Sequence, residues 1–174
     1  MSEPSGDLWL AQATSDWRSA LRIFDSSDHL TYCQTIAKYQ QTVEKSVKAV
    51  FASVKDKGIN LGPLGYDHDV AKKIAALKRL PQPTGKTGIQ FIVNRVFTNA
   101  DEINVLCALA PKKPAPGQLH ARNTEYPFEI AAGLWEAPAT KDVFSLTEVN
   151  QFRRTAEQTF TRASKAIDAI KRAP

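Results

Sequence analysis

The chain has 174 residues, of which 43% are hydrophobic and 24% charged, an ordinary globular balance that excludes intrinsic disorder and can support one sizeable core. No apolar run approaches the roughly 20 residues of a membrane span, and Met1-Ser2-Glu3-Pro4-Ser5-Gly6-Asp7 lacks the basic start and apolar stretch of a secretory signal, so a cytoplasmic location is expected. Twenty-three Lys and Arg against 18 Asp and Glu leave a net charge of +5, compatible with an anionic partner but common in proteins that have none.

In chain order, the first helix is expected from about Gly6 to Phe24. Trp9, Ala13, Trp17, Ala20, Leu21 and Phe24 recur at spacings of three and four and share a face. Asp25-Ser26-Ser27-Asp28 breaks the pattern and offers N-caps. A second, longest helix follows from about His29 to Lys57, with an apolar stripe of Tyr32, Ile36, Tyr39, Val43, Val47, Val50 and Val54. Its expected length is roughly 40 Å at 1.5 Å per residue. Gly58 stops it, and Gly62-Pro63-Leu64-Gly65 continues as loop.

A short helix from about Asp69 to Leu80 carries Val70, Ile74 and Leu77. The Ile89–Ala110 stretch reads as one further helix, or two with a kink. From Pro111 to Thr140 repeated prolines forbid a long helix, and a loop of that length is more often functional than incidental. The last helix starts at Ser145, where Ser145 and Glu148 form a capping box, and carries Val149, Phe152, Ala156, Phe160, Ala163, Ile167 and Ile170. No strand stands out, and there is no internal repeat. The expected fold is therefore all-α, an up-and-down bundle of four to five helices in one domain spanning 1–174, with its core between about 9 and 170.

Complete catalytic motifs are missing. Thr84-Gly85-Lys86-Thr87 lacks the earlier glycine and the preceding strand of a P-loop and reads as a turn between helices. Asp67-His68-Asp69 has no second His and Asp cluster to complete a metal site, and Cys33 and Cys107 read as buried thiols, so no metal and no cofactor are expected. His120 lies in the Pro-rich loop, two residues before Arg122.

Two polar stretches carry chemistry. In Tyr39–Ala49, Glu44 and Lys48 are four apart, as in a helix-surface ion pair, while Gln40, Gln41 and Glu44 flank the apolar stripe and could equally line a groove. In Arg122-Asn123-Thr124-Glu125-Tyr126-Pro127, a guanidinium fork, an amide and a ring can hold a phosphate and a base. The same Arg and Tyr can instead pin the loop to the bundle.

Taken together these stretches resemble the HEPN family, the higher eukaryotes and prokaryotes nucleotide-binding domain. Gln40-Gln41-x-x-Glu44-Lys45-x-x-Lys48-Ala49 is similar to the family's QQxxEKxxKA pattern. His68-Asp69-Val70 is like its HDL, and Arg122 with Tyr126-Pro127 is like its RYP. The resemblance implies a helical bundle, dimeric through helix faces with Trp9 or Trp17 left for the interface, that binds a nucleotide or RNA. It further implies a partner protein, such as a nucleotidyltransferase, in a toxin–antitoxin or defence system. Arg122, Asn123 and Tyr126, with Lys45 and Lys48 nearby, are the implied binding residues.

Ribonuclease members carry a His four to six intervening residues after the Arg. Here those positions hold Pro127, Phe128 and Glu129, so RNA cleavage is not expected from Arg122 in the family's manner. The alternatives are a ribonuclease with a variant active site, in which Arg122 is the best catalytic candidate, or a non-catalytic dimeric scaffold.

Overall fold

The computed structural model describes residues 3–65, 68–80, 88–110, 118–119, 121–140 and 143–173. Thr84–Thr87, Asp67 and His120 lie outside them. The described residues form six α-helices: α1 (Gly6–Ile23), α2 (Tyr32–Lys55), α3 (Val70–Lys78), α4 (Ile89–Val96), α5 (Ala100–Cys107) and α6 (Leu146–Arg172). A small hairpin of β1 (Phe128–Ala131) and β2 (Leu134–Glu136) completes them. The fold is mainly α, and none of its helices is long and apolar enough to cross a membrane.

α2 is the central element. Nineteen of its 24 residues are buried, so it is enclosed on nearly all sides rather than on one stripe. α1 lies antiparallel against it. Gly6 meets Ser53, Asp16 meets Lys45, and the rings of Phe24 and Tyr32 stand 6.4 Å apart. Small residues permit the approach: α1 buries Gly6, Ala13 and Ala20, spaced by seven, on one line of the helix. A methyl group at Gly6 would come within 2.8 Å of the Ala49 carbonyl oxygen.

α6 runs parallel to α2, with Lys57 Nζ donating to the Ala173 carbonyl at 2.6 Å. Its first turn is secured by the expected capping box: Ser145 Oγ accepts from the Glu148 amide at 3.2 Å, and Glu148 Oε2 accepts from the Ser145 amide at 2.9 Å. α3, α4 and α5 close the remaining faces of the core with Ile74, Leu77, Val93, Ile103 and Leu106.

Some expectations are met and others corrected. His29–Thr31 forms a 3-10 turn capped by Asp28 rather than the start of the long helix. Gly58 adopts φ +78°, the left-handed conformation that ends the chain's helical run after α2. The Ile89–Ala110 stretch is two helices, broken around Phe97–Asn99, which raises the helix count to six.

Leu21 is exposed, whereas Asp16 is buried on the face of α1 expected to be apolar. Trp9 and Trp17 are both partly buried against the core, Trp17 with its ring 5.7 Å from Tyr39 and 6.3 Å from Phe160.

The strands were not anticipated because Pro127 and Pro138 suggested irregular chain. The hairpin fits between them: Phe128-Glu129-Ile130 and Leu134-Trp135-Glu136 flank an Ala132-Gly133 turn. Gly133 takes φ +76°, and its amide donates to Glu129 Oε1 at 2.7 Å.

Candidate functional site

The five residues singled out in the sequence fall on the α1-facing side of α2, which carries Lys45 and Lys48, and on the loop that carries Arg122, Asn123 and Tyr126. Lys48 is not on a helix surface. It is 3% exposed, its ammonium donates to Glu44 Oε1 at 2.8 Å, and it lies 4.9 Å from the centre of the Trp9 ring. Glu44 is 5% exposed, and its second oxygen receives His68 Nδ1 at 2.7 Å. The unit ties α1, α2 and the approach to α3 together. It also fixes the imidazole with Nδ1 toward a carboxylate and its other face toward solvent.

Lys45, three residues before Lys48, also faces α1 but is engaged elsewhere along it. With Lys38 it neutralises the buried Asp16 of α1, Lys38 Nζ standing 3.3 Å from Oδ1. Two half-shielded ammonium groups against one buried carboxylate explain why Asp16 is tolerated inside the α1–α2 seam.

Arg122, Asn123 and Tyr126 belong to the segment beside the first turns of α2. Thr124, Glu125 and Pro127 border a cleft of about 510 Å³ with Ile23, Cys33 and Lys38. Lys48 is ten residues further along α2, roughly 15 Å by helical rise. Of the two lysines expected to join Arg122 and Tyr126, Lys48 is enclosed between Glu44 and Trp9, while Lys45 shares Asp16 with the cleft-lining Lys38.

Of the two readings of Arg122, the geometry is that of a pin. Its guanidinium lies 4.1 Å from the centre of the Phe144 ring, and Nη2 donates to Glu148 Oε1 at 2.9 Å. Asn123 is buried, and its Oδ1 accepts the amides of Glu125 and Tyr126 at 2.9 and 2.8 Å, which makes it a turn organiser. Tyr126 is 61% exposed.

The Glu148 carboxyl integrates these contacts. Partial burial pushes its pKa up, but the Ser145 amide, the Arg122 guanidinium and the Ser145 hydroxyl outweigh this and hold it below the ordinary 4.5. A depressed folded-state value stabilises the fold above the unfolded value, and that stabilisation is lost as pH falls through the folded value. Glu148→Gln keeps the cap geometry but not the charge. The acid limb of its thermal midpoint against pH is expected to be shallower than the wild type's below about pH 4.5. Superimposable acid limbs would show that Arg122 and the cap do not depend on the ionised carboxylate.

A different region has the make-up of an anion site. A groove of about 490 Å³ runs between α4 and α6, floored by Ile92, Val96, Ala166 and Ala169 and rimmed by Arg95, Arg162 and Lys165. Phe91 stands at its edge, 42% exposed, with the Arg95 guanidinium 5.8 Å from its ring centre. Arg162 Nη1 donates to Thr98 Oγ1 at 2.7 Å and Asn99 Oδ1 at 3.2 Å. Both acceptors are neutral. Among the described residues, none of the three cations forms an ion pair.

Sequence reasoning missed this groove because it followed the apolar faces of the helices. The available signal was the polar face of α6, where Arg162 and Lys165 are three apart, and the Phe91–Arg95 pair four apart on α4. Comparison of the chain with protein-family models, with curated proteins and with solved structures finds no match.

Proposed function

We propose that this protein is a HEPN-type helical module that binds a nucleotide or a short RNA segment in the groove between α4 and α6. The observation that carries the reading is the set of three cations, Arg95, Arg162 and Lys165, none ion-paired among the described residues, over an apolar floor beside the half-exposed ring of Phe91. Phosphates are held by charge-assisted hydrogen bonds from cationic donors, and a base stacks on a flat apolar face. The groove offers both within one cleft.

Exposed Arg154 and Arg172 lie on the same face of α6 and extend the cations over roughly 27 Å, with Asp168 among them. That length suits several nucleotides better than one. In support of the module type stand the order of the sequence motifs and a bundle in which a long second helix is central. The resemblance also suggests a partner protein, such as a nucleotidyltransferase of a toxin–antitoxin or defence pair.

Calorimetric titration with AMP, ATP and a short oligoribonucleotide at two salt concentrations tests the reading. Binding is expected to weaken with salt. Arg95→Ala with Arg162→Ala is expected to lower affinity at least about tenfold, the equivalent of 1.4 kcal/mol. Arg122→Ala should bind as the wild type does, because its guanidinium is engaged with Phe144 and Glu148. No binding by the wild type, or equal binding by the double variant, overturns the proposal.

A further inference from the structure

The hairpin concentrates what the rest of the surface scatters. Tyr126, Ile130, Leu134 and Trp135 are 61%, 50%, 55% and 52% exposed within one ten-residue stretch. Leu134 and Trp135 are consecutive in β2 and point to opposite faces of the ribbon, so the hairpin offers apolar side chains on both. Trp and Tyr are the side chains that most often dominate interface energetics. β1 pairs with β2 alone among the described strands, so each keeps one open edge.

The charge of this region is opposite to that of the whole chain. Residues 123–140 contain Glu125, Glu129 and Glu136 and no Lys, Arg or His, in a protein of net charge +5. A hairpin-to-hairpin pairing of two copies would bring these carboxylates face to face, which like-charge repulsion opposes. The surface with the complementary make-up is the groove between α4 and α6, apolar in its floor and cationic at Arg95, Arg162 and Lys165.

The two surfaces cannot meet within one molecule. Glu148, bonded to Arg122 beside the hairpin segment, and Lys165 at the groove are 17 residues apart on α6, roughly 25 Å of straight helix.

We infer that the acidic hairpin of one copy docks into the basic groove of a second copy, head to tail. Such a contact is heterologous: each molecule offers one surface and accepts on the other, so assembly grows with concentration unless it closes into a ring. The docking itself does not depend on the ligand reading. Where that reading holds, a bound oligonucleotide and a docked hairpin compete for one groove.

Sedimentation velocity from micromolar to sub-millimolar protein at low salt decides the matter. The wild type is expected to rise with concentration above the 19.2 kDa of a single chain. Two charge-reversed variants separate the surfaces: Glu125→Lys with Glu136→Lys on the hairpin, and Arg95→Glu with Lys165→Glu in the groove. Arg162 and Glu129 are left alone because they also hold Thr98, Asn99 and Gly133.

Each variant alone, with its folding checked by circular dichroism, is expected to be monomeric. An equimolar mixture is expected to associate, because the reversed hairpin of one then faces the reversed groove of the other. A wild type that stays monomeric throughout, or variants that associate as the wild type does, overturns the inference, as does a mixture that stays monomeric. Titration of the hairpin variant, whose groove is unaltered, with the oligoribonucleotide tests the ligand reading separately.

Discussion

Replacing Glu44 by alanine is expected to destabilise the fold by about 3–5 kcal/mol, the characteristic cost of removing one partner from a buried ion pair. Glu44 and Lys48 are 5% and 3% exposed, and the carboxylate is the acceptor for both the Lys48 ammonium and the His68 imidazole. Without it the ammonium remains under Trp9 with a π face as compensation, and a ring face is worth much less than a carboxylate.

In urea the midpoint should fall by roughly 2 M, given slopes of about 1–3 kcal/mol per molar for domains of this size. Glu44→Gln, which keeps acceptor and shape but not charge, should lie between alanine and the wild type. The double replacement Glu44→Leu with Lys48→Met removes both charges and should recover most of the loss. A loss below about 1 kcal/mol for Glu44→Ala would mean that the Lys48 stem reaches water after all, as lysine stems on helix surfaces do.

The second large effect belongs to Asn123. Its side-chain oxygen takes the amides of Glu125 and Tyr126, and its amide donates to the Ala121 carbonyl at 3.2 Å. Alanine removes the acceptor from two amides at once. Each unsatisfied amide costs about 1–3 kcal/mol when it stays dry, and part is recovered where the loop admits water, so about 2 kcal/mol in total is expected. Asn123→Asp preserves the acceptor and should cost clearly less.

Because the turn positions Arg122 on Phe144, its loss should also free the chain locally. Trypsin is then expected to cut after Arg122 faster in Asn123→Ala than in the wild type under conditions where both remain folded. Equal cleavage rates would place the anchoring elsewhere, in the buried Thr124 and the hydrogen bond from its backbone N–H to the Leu109 carbonyl.

These two residues also show where reading from sequence stops. The Glu44–Lys48 spacing states that the side chains share a helix face, and spacing alone makes such a pair a surface ornament worth a few tenths of a kcal/mol. Whether that face is wet depends on what packs over it. Here Trp9 arrives from one side and His68 from the other, and both positions depend on how α1 and the approach to α3 cross α2. Asn123 likewise reads as a polar residue beside an Arg, and only the folded loop turns its amide inward.

What the sequence determined by itself is the local level. The helices at α1, α2, α3 and α6, the capping box at Ser145 and the stop at Gly58 follow from periodicity and from the conformational limits of single residues. These are contacts within a few residues, and 3.6-residue periodicity reports them directly.

The tertiary structure decided the rest. It buried α2 on almost every side, turned Arg122 from a free guanidinium into a pin and built a hairpin between two prolines. It also gathered Phe91, Arg95, Arg162 and Lys165 from two helices into one groove. Arg95 and Arg162 are 67 positions apart in the chain. No pattern within a helix can show that their charges share a cleft, because that depends on the packing of α4 against α6.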